Sequence, residues 1–149
     1  MGVDAGDTMA RILVTGGAGF IGSNFIRFLL RDDAASLSES GFDRIVNLDI
    51  LTYAGNLSNL SEFESSEMYR FVHGNILDKE LVESLLSENS VSAIVHFAAE
   101  SHVDRSIDGP EPFVQTNVIG TLRLLQAAKN HWEQLQNEEK NAFRFLHVS

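Results

Sequence analysis

Hydrophobic residues are concentrated in five short runs, separated by longer stretches in which polar and apolar residues mix. The runs are Arg11–Thr15, Arg44–Asp49, Tyr69–His73, Ser92–Phe97 and Phe143–Val148. Short apolar runs bounded by turn-forming residues are typical of strands that are buried on both faces of a sheet. The pattern therefore predicts five β-strands.

The stretches between the runs have the spacing of amphipathic helices. Apolar residues three and four positions apart lie on one side of a helix, so each such set predicts a face turned towards the sheet. The sets are Ile21, Phe25, Phe28 and Leu29; Leu81, Val82, Leu85 and Leu86; and Val118, Leu122, Leu125 and Ala128.

Alternation of strand and helix predicts βαβ units and hence an α/β fold with a doubly wound parallel sheet, the Rossmann fold, with helices on both faces. We expect the strand order 3-2-1-4-5. The polar segment 32–43 is interpreted as a long connection between the first helix and the second strand. The stripe formed by Val118, Leu122 and Leu125 fits either the core or the surface of a dimer.

Residues 16–22 read GGAGFIG, directly after the first predicted strand and at the start of the first predicted helix. The glycines fit G-x-G-x-x-G at 17, 19 and 22, or G-x-x-G-x-x-G at 16, 19 and 22. In this setting glycine allows a tight turn and lets a pyrophosphate approach the backbone amides at the positive end of the helix. The loop therefore predicts a dinucleotide site, and a glycine-rich turn without a ligand is the alternative.

An acidic residue ends the second predicted strand. Asp49 follows Gly22 by 27 residues, whereas the usual interval is about 20, and the long 32–43 connection accounts for the difference. A carboxylate at this position binds the adenosine ribose and repels the additional phosphate of NADP, so NAD is the expected cofactor. A surface aspartate at a strand end is the alternative.

Composition narrows the classes of partner. The 149 residues suit one domain, and a net charge of -10 without a Lys/Arg cluster argues against a nucleic-acid surface. The absence of cysteine excludes disulfides and thiolate metal sites, and it suits a reducing cytoplasm. No apolar stretch approaches the roughly 18 residues of a membrane span. Residues 1–9 are expected to form a loose tail. His96, His102 and His147 lack the spacing of a zinc site, so no metal is expected.

Five motifs occur in order: GGAGFIG, LDILTYAGN at 48–56, GNILD at 74–78, HFAAESHVDRSI at 96–107 and TNVIGT at 116–121. Together they resemble the extended short-chain dehydrogenase/reductases that act on nucleotide sugars, and most of all the dTDP-glucose 4,6-dehydratases. The resemblance covers residues 10–149. TYAGN and AAESHVDRS are more specific than the glycine loop and argue against the epimerases of the same fold.

The resemblance implies NAD as cofactor and dTDP-glucose as substrate, with Ser101 touching the sugar as well as the cofactor. Two positions depart from the family pattern, because Ile50 replaces a usual Lys and Asn75 replaces an Asp that meets the adenine amino group. An amide carbonyl still accepts that hydrogen bond, but without charge it should hold adenine less firmly. The implied cofactor-binding residues are Gly16, Gly19, Phe20, Ile21, Gly22, Asp49, Ile50, Leu51, Thr52, Asn75, Ile76, Phe97, Ala98, Ala99, Glu100, Ser101 and Thr116.

The resemblance also implies the chemistry: NAD oxidises C4 of the sugar, an acid–base pair eliminates water across C5 and C6, and hydride returns to C6. The family uses a Y-x-x-x-K pair and an S-T-D-E-V-Y-G motif, whose first residue matches Ser149, and neither Tyr53 nor Tyr69 has the required Lys. We therefore expect residues 10–149 to be an NAD-binding domain whose catalytic and substrate-binding remainder is missing. The chain alone should be an inactive part of a cytoplasmic, homodimeric hydro-lyase.

Two other interpretations remain open. A related nucleotide-sugar epimerase or decarboxylase would share the fold and the cofactor. A stand-alone NAD-binding or sensor module would need no catalytic tyrosine. The reading frame beyond codon 149 distinguishes them, because TDEVYG followed by Y-x-x-x-K would identify the enzyme and a stop codon would favour the module.

Overall fold

A computed structural model of the chain describes residues 10–31, 35–101, 107 and 109–149. The tail expected over residues 1–9 lies outside the described residues. So do residues 102–106, which lie in the second half of the HFAAESHVDRSI motif and include His102.

The sheet has five parallel strands in the order 3-2-1-4-5, as predicted. The first three strands have the predicted bounds, the fourth is shifted by one residue towards the amino terminus, and the fifth is one residue shorter at each end. The strands are β1 (Arg11–Thr15), β2 (Arg44–Asp49), β3 (Tyr69–His73), β4 (Val91–His96) and β5 (Arg144–His147).

Helices connect the strands. A 3-10 helix, Leu57–Phe63, follows β2. A π-helix, Val114–Gly120, joins the α-helices Glu111–Phe113 and Thr121–Gln134 in one continuous helical run. The connection predicted over residues 32–43 contains the short helix Ala35–Glu39. The α-helices are α1 (Phe20–Leu30), α2 (Ala35–Glu39), α3 (Lys79–Glu88), α4 (Glu111–Phe113), α5 (Thr121–Gln134) and α6 (Asn137–Ala142).

The sheet is covered on both faces, which confirms the doubly wound architecture. Successive side chains of a strand point to opposite faces, so Ile12 of β1 packs in one core with Ile26 of α1. The neighbouring Leu13 packs in the other core with Leu85 of α3 and Leu124 of α5. Two apolar layers therefore fix the sheet between the helices and hold the ends of its strands in place.

Helix α3 has the predicted buried face. Val82, Leu85 and Leu86 are buried, and Leu81 packs partly buried against them. The helix begins after Asp78, whose carboxylate accepts the Leu81 N–H at 3.1 Å and so caps the first turn.

The predicted face of α1 is wrong at two positions, because Ile21 and Phe28 are 60% and 51% exposed. A Cβ atom at Gly22 would clash with the carbonyl oxygen of Gly16. This close approach of Gly22 to the glycine loop sets the rotation of the helix about its axis. The residues that α1 buries are Gly22, Ser23, Ile26, Leu29 and Leu30.

The third predicted face is also largely wrong. Val118, Leu122 and Leu125 are 57%, 50% and 45% exposed, so they are not part of the core that the described residues form. The same helical run buries Leu124 and the predicted Ala128 on its other side. Apolar residues occupy two sides of this run, and the wide turns of the π-helix change the angular spacing on which a 3.6-residue pattern depends.

Candidate functional site

The candidate site lies along the edge of the sheet at which all its strands end. Parallel strands bring their carboxyl ends to one edge, and ligands of open α/β sheets bind there, beside the strand at which the order reverses. In this sheet that strand is β1, with β2 on one side and β4 on the other. The predicted cofactor segments follow β1, β2, β3 and β4, so the fold brings them to the same edge.

Three glycines of the loop after β1 are required by packing within the protein itself. Gly16 has a φ of +71°, and a Cβ there would lie 2.6 Å from the backbone nitrogen of Ala98. A Cβ at Gly17 would clash with the side chain of Asn47, and Gly22 packs against the Gly16 carbonyl. Gly19 differs, because the nearest atom to its Cβ position is 3.4 Å away. Protein packing therefore does not require a glycine at position 19. The absence of a side chain there leaves room for a ligand.

The amino terminus of α1 faces the same space. Its N-cap, Gly19, supplies no side-chain hydrogen bond. The first backbone N–H groups of a helix, here those of Phe20, Ile21 and Gly22, have no partner within the helix. Amides of this kind, together with the helix dipole, attract an anion. The open position at Gly19 and the uncapped first turn fit a pyrophosphate.

Asp49 is buried at the end of β2, and backbone donors fix its carboxylate beside the glycine loop. Oδ2 accepts the Ala18 N–H at 2.9 Å, and Oδ1 accepts the Leu51 N–H at 2.8 Å. Each oxygen keeps a further lone pair. The carboxylate can therefore accept hydrogen bonds from a pair of ligand hydroxyls, and it would repel a phosphate at the same position.

The segment after Asp49 lies against the glycine loop and is hydrogen-bonded to it. Leu51 has a φ of +57°, a left-handed conformation uncommon for leucine, and the hydrogen bond to Asp49 supports it. Asn56 N–H donates to the Ala18 carbonyl at 3.1 Å. The exposed Ile50 lies at the rim, and its carbonyl accepts the Nε2–H of His73 at 3.1 Å. The backbone carbonyl of Thr52 accepts the Gly55 N–H at 2.9 Å, which closes a turn.

The two predicted contacts that follow β3 have different surroundings. Asn75 Oδ1 accepts the Leu77 N–H at 2.9 Å, which leaves one lone pair of that oxygen for a ligand. Ile76 is buried, and its side chain lies against Gly120 in the core. Only the backbone of Ile76 is therefore left to contact a cofactor.

The segment after β4 borders the glycine loop on the other side. Phe97 N–H donates to the Thr15 carbonyl at 2.9 Å, and Ala98 lies against Gly16. Ala99 and Ser101 are exposed towards the end of this segment. The backbone here therefore forms a second wall of the groove, opposite the wall that follows Asp49.

Asn117 fixes this second wall to the π-helix. Its Oδ1 accepts the Glu100 N–H at 2.8 Å, and its Nδ2 donates to the Glu100 carbonyl at 2.9 Å. Thr116, a predicted cofactor contact, is its neighbour in the same π-helix. Asn117 is part of the TNVIGT motif, but a motif does not reveal which of its side chains holds another segment, and no site role was predicted for it.

His96 is buried below the groove between two threonines. Thr15 Oγ1 lies 2.6 Å from Nδ1 and Thr121 Oγ1 lies 3.0 Å from Nε2, while the ring stacks on His147 with centroids 4.9 Å apart. Burial, and secondarily the electrostatic effect of the neighbouring His147, lowers the pKa of His96 to about 4. The imidazole is therefore neutral at pH 7 and ties β1, β4 and α5 together.

This lowered pKa predicts that the chain loses stability in weak acid. Between its ordinary pKa of 6.5 and its folded pKa of about 4, His96 binds a proton in the unfolded state but not in the folded state. Its contribution is therefore complete above pH 6.5 and is lost as the pH falls towards 4, by at most roughly 3 kcal/mol. Denaturant unfolding at pH 7 and pH 4.5 should show a fall in the free energy of unfolding that is smaller in His96→Gln. Equal falls in both proteins would contradict the assignment.

Within the parts of the chain that the structure describes, no group of three or more His, Cys, Asp or Glu side chains could hold a metal ion. The helices of those parts include none with the length and apolar character of a membrane span.

Comparison with known proteins identifies relatives. The family model described as GDP-mannose 4,6 dehydratase matches residues 13–149. A dTDP-glucose 4,6-dehydratase of Xanthomonas campestris is 53% identical over 141 residues, which are 95% of this chain and 38% of that protein. The chain thus spans little more than a third of the length of this curated relative.

Solved structures give the same grouping. One is the crystal structure of a dTDP-glucose 4,6-dehydratase from Streptomyces venezuelae with NAD bound, whose sequence is 53% identical to this chain and whose TM-score is 0.74. The match covers 81% of this chain and 36% of the dehydratase chain. A UDP-glucose 4-epimerase from Thermotoga maritima is 32% identical to this chain, with a TM-score of 0.66. That match covers 81% of this chain and 34% of the epimerase chain. The fold is common to both activities, and the sequence is nearer to the dehydratase.

Proposed function

The chain belongs to the GDP-mannose 4,6 dehydratase family, and from that premise we propose that it is the NAD-binding part of a dTDP-glucose 4,6-dehydratase. The observation that carries the proposal is the identity of about half with dTDP-glucose 4,6-dehydratases over nearly the whole chain. The TYAGN and AAES segments that distinguish this group lie on the two walls of the groove.

The groove fits NAD by its own geometry. The open position at Gly19 and the uncapped start of α1 would receive the pyrophosphate, and the carboxylate of Asp49 would accept the ribose hydroxyls. When bound, NAD would supply hydride chemistry, first as acceptor and then as donor. The chain's own residues would orient the dinucleotide and hold it in one position. A reaction without net cofactor consumption requires this, because the same cofactor first takes up the hydride and then returns it.

Asp49 should make the protein prefer NAD to NADP. Asp49→Ala should weaken NAD binding by about ten-fold, since it removes hydrogen bonds to a charged acceptor. The variant should also show a smaller preference for NAD over NADP, because the repulsion between the Asp49 carboxylate and the 2'-phosphate of NADP is lost. Titration of both cofactors against the full-length protein measures this, and equal affinities of the unmodified protein for both would contradict it.

The activity is tested with three nucleotide sugars. The full-length protein should convert dTDP-glucose, in preference to GDP-mannose or UDP-glucose, into a 4-keto-6-deoxy product whose mass is lower by one water. A product of unchanged mass would support the epimerase. In a separate assay, loss of carbon dioxide from a nucleotide-linked uronic acid, which has the carboxylate that these three sugars lack, would support the decarboxylase. Binding of NAD with no turnover of any sugar would favour the stand-alone module.

We also propose that the catalytic and most of the substrate-binding residues belong to the part of the enzyme beyond Ser149, and that residues 10–149 are the NAD-binding domain. Ser101, exposed at the end of the second wall, is the residue of this chain that we assign to the sugar as well as to the cofactor. This division agrees with the share of the relatives' length that the chain spans.

We further propose that the enzyme is a homodimer in the cytoplasm. Val114, Val118, Leu122 and Leu125 form an exposed apolar stripe along the π-helix and α5, and such stripes are commonly covered by a partner. Sedimentation of the full-length protein tests the dimer. A chain without cysteine needs no oxidising compartment, which supports the location.

A further inference from the structure

A side-chain hydrogen bond joins the two walls of the groove. The hydroxyl of Tyr53 donates to Oε2 of Glu100 at 3.0 Å. Tyr53 belongs to the segment after β2, and Glu100 belongs to the segment after β4. These strands lie on either side of β1, so the bond spans the glycine loop that follows β1.

Both ends of this bond are anchored to the rest of the protein. On the first wall, Ala54 lies beside Gly19, and Asn56 N–H binds the carbonyl of Ala18. On the second wall, the side chain of Asn117 holds the backbone N–H and carbonyl of Glu100. Loops anchored in this way can part at the side-chain bond without disturbing the sheet.

The position of the bond gives it a consequence for the ligand. A dinucleotide laid across the edge of the sheet passes from the end of β2 over the glycine loop to the end of β4. The Tyr53–Glu100 bond connects those two ends across the same loop. A ligand seated on the loop amides would then lie between the glycine loop and the bond, and the bond would have to open before the ligand could leave.

We propose that Tyr53 and Glu100 form a strap that retains the dinucleotide in the groove. The inference rests on the proposed function, in which hydride is removed and later returned within one site. If the strap opens between these events, the enzyme is left without its cofactor and the sugar is left unfinished. A strap that slows release therefore protects the completion of each cycle.

The strap is tested by the rate at which NADH leaves the full-length protein. Tyr53→Phe, Glu100→Ala and the double variant are preloaded with NADH, and its displacement by excess NAD is followed by fluorescence. Tyr53→Phe removes only the hydroxyl, and release should become about 5- to 20-fold faster, as expected for the loss of a charge-assisted hydrogen bond in a partly exposed setting. Glu111→Gln, which removes an exposed negative charge from α4, is the matched control and should release NADH at the unmodified rate.

The double variant separates a strap from two independent contacts. Because one bond is removed in all three variants, Tyr53→Phe should add little to Glu100→Ala, whereas additive effects on the release rate would overturn the pair. An unchanged rate in Tyr53→Phe with an unchanged circular dichroism spectrum would overturn it as well. Glu100→Leu, whose side chain has no oxygen to accept from Tyr53, replaces Glu100→Ala if the alanine variant does not fold.

A second readout follows repeated turnover. The variants should stall with time and recover when NAD is added, while the unmodified protein should not. Release is measured without a sugar, so its outcome is independent of the assigned substrate. Accelerated release in Tyr53→Phe, with no turnover of dTDP-glucose by the unmodified protein, would keep the strap and refute the proposed activity.

Discussion

Gly19→Val should abolish NAD binding by the full-length protein while leaving its fold intact. Gly19 has φ -76° and ψ 178°, an extended conformation that valine adopts without strain. The nearest protein atom to a Cβ at this position is 3.4 Å away, so the added methyl groups project into the space proposed for the pyrophosphate. We expect affinity to fall by at least about 100-fold, which corresponds to roughly 2.7 kcal/mol.

Two other glycines serve as controls for this variant. Gly22→Ala should reduce stability, because its Cβ would clash with the Gly16 carbonyl. Gly41→Asn should change neither property, since no atom lies within 4 Å and asparagine tolerates the φ of +83°. Calorimetric titration and thermal unfolding of all three variants measure binding and stability separately. Retained NAD binding in Gly19→Val would show that the loop is only a turn.

The strands and their order were predictable from the sequence because each apolar run is short and its alternation with helices allows few topologies. The right-handed connection between parallel strands then limits the orders further. The helix faces were less predictable. In α1 the contact of Gly22 with the Gly16 carbonyl decides which side is buried, and hydrophobicity contains no signal for such a contact. In the run from 111 to 134 the π-helix breaks the period on which the prediction depends.

The site was predictable to the level of segments and not of side-chain contacts. Residues that follow parallel strands must meet at one edge, so the grouping of Asp49 with the glycine loop could be inferred from order alone. The bond between Tyr53 and Glu100 joins residues 47 positions apart. Nothing in the spacing of TYAGN and AAES indicates that these two side chains meet. The same holds for Ile76, whose burial depends on the distant Gly120.

Residues 1–149 alone should show no dehydratase activity, because we assign the acid–base groups of the reaction to the part of the enzyme beyond Ser149. General acid–base catalysis needs a group within hydrogen-bond reach of the transferred proton, with a suitable pKa. His96 is neutral and engaged by two threonines, and Tyr69 is buried with its hydroxyl bound by Asn47. The Tyr53 hydroxyl donates to the Glu100 carboxylate, so these two groups already bind each other.

The test is to express residues 1–149, establish folding by circular dichroism, and add dTDP-glucose and NAD. The full-length protein under identical conditions is the positive control, and product is detected by its loss of one water. Aggregation has to be separated from inactivity, since the stripe of Val118, Leu122 and Leu125 is exposed. Replacing Leu122 by Glu in the fragment addresses this, because the change interrupts the stripe at an exposed position. Turnover by the soluble fragment comparable with that of the full-length protein would overturn the proposed division of the enzyme, because the acid–base groups would then have to lie within these 149 residues.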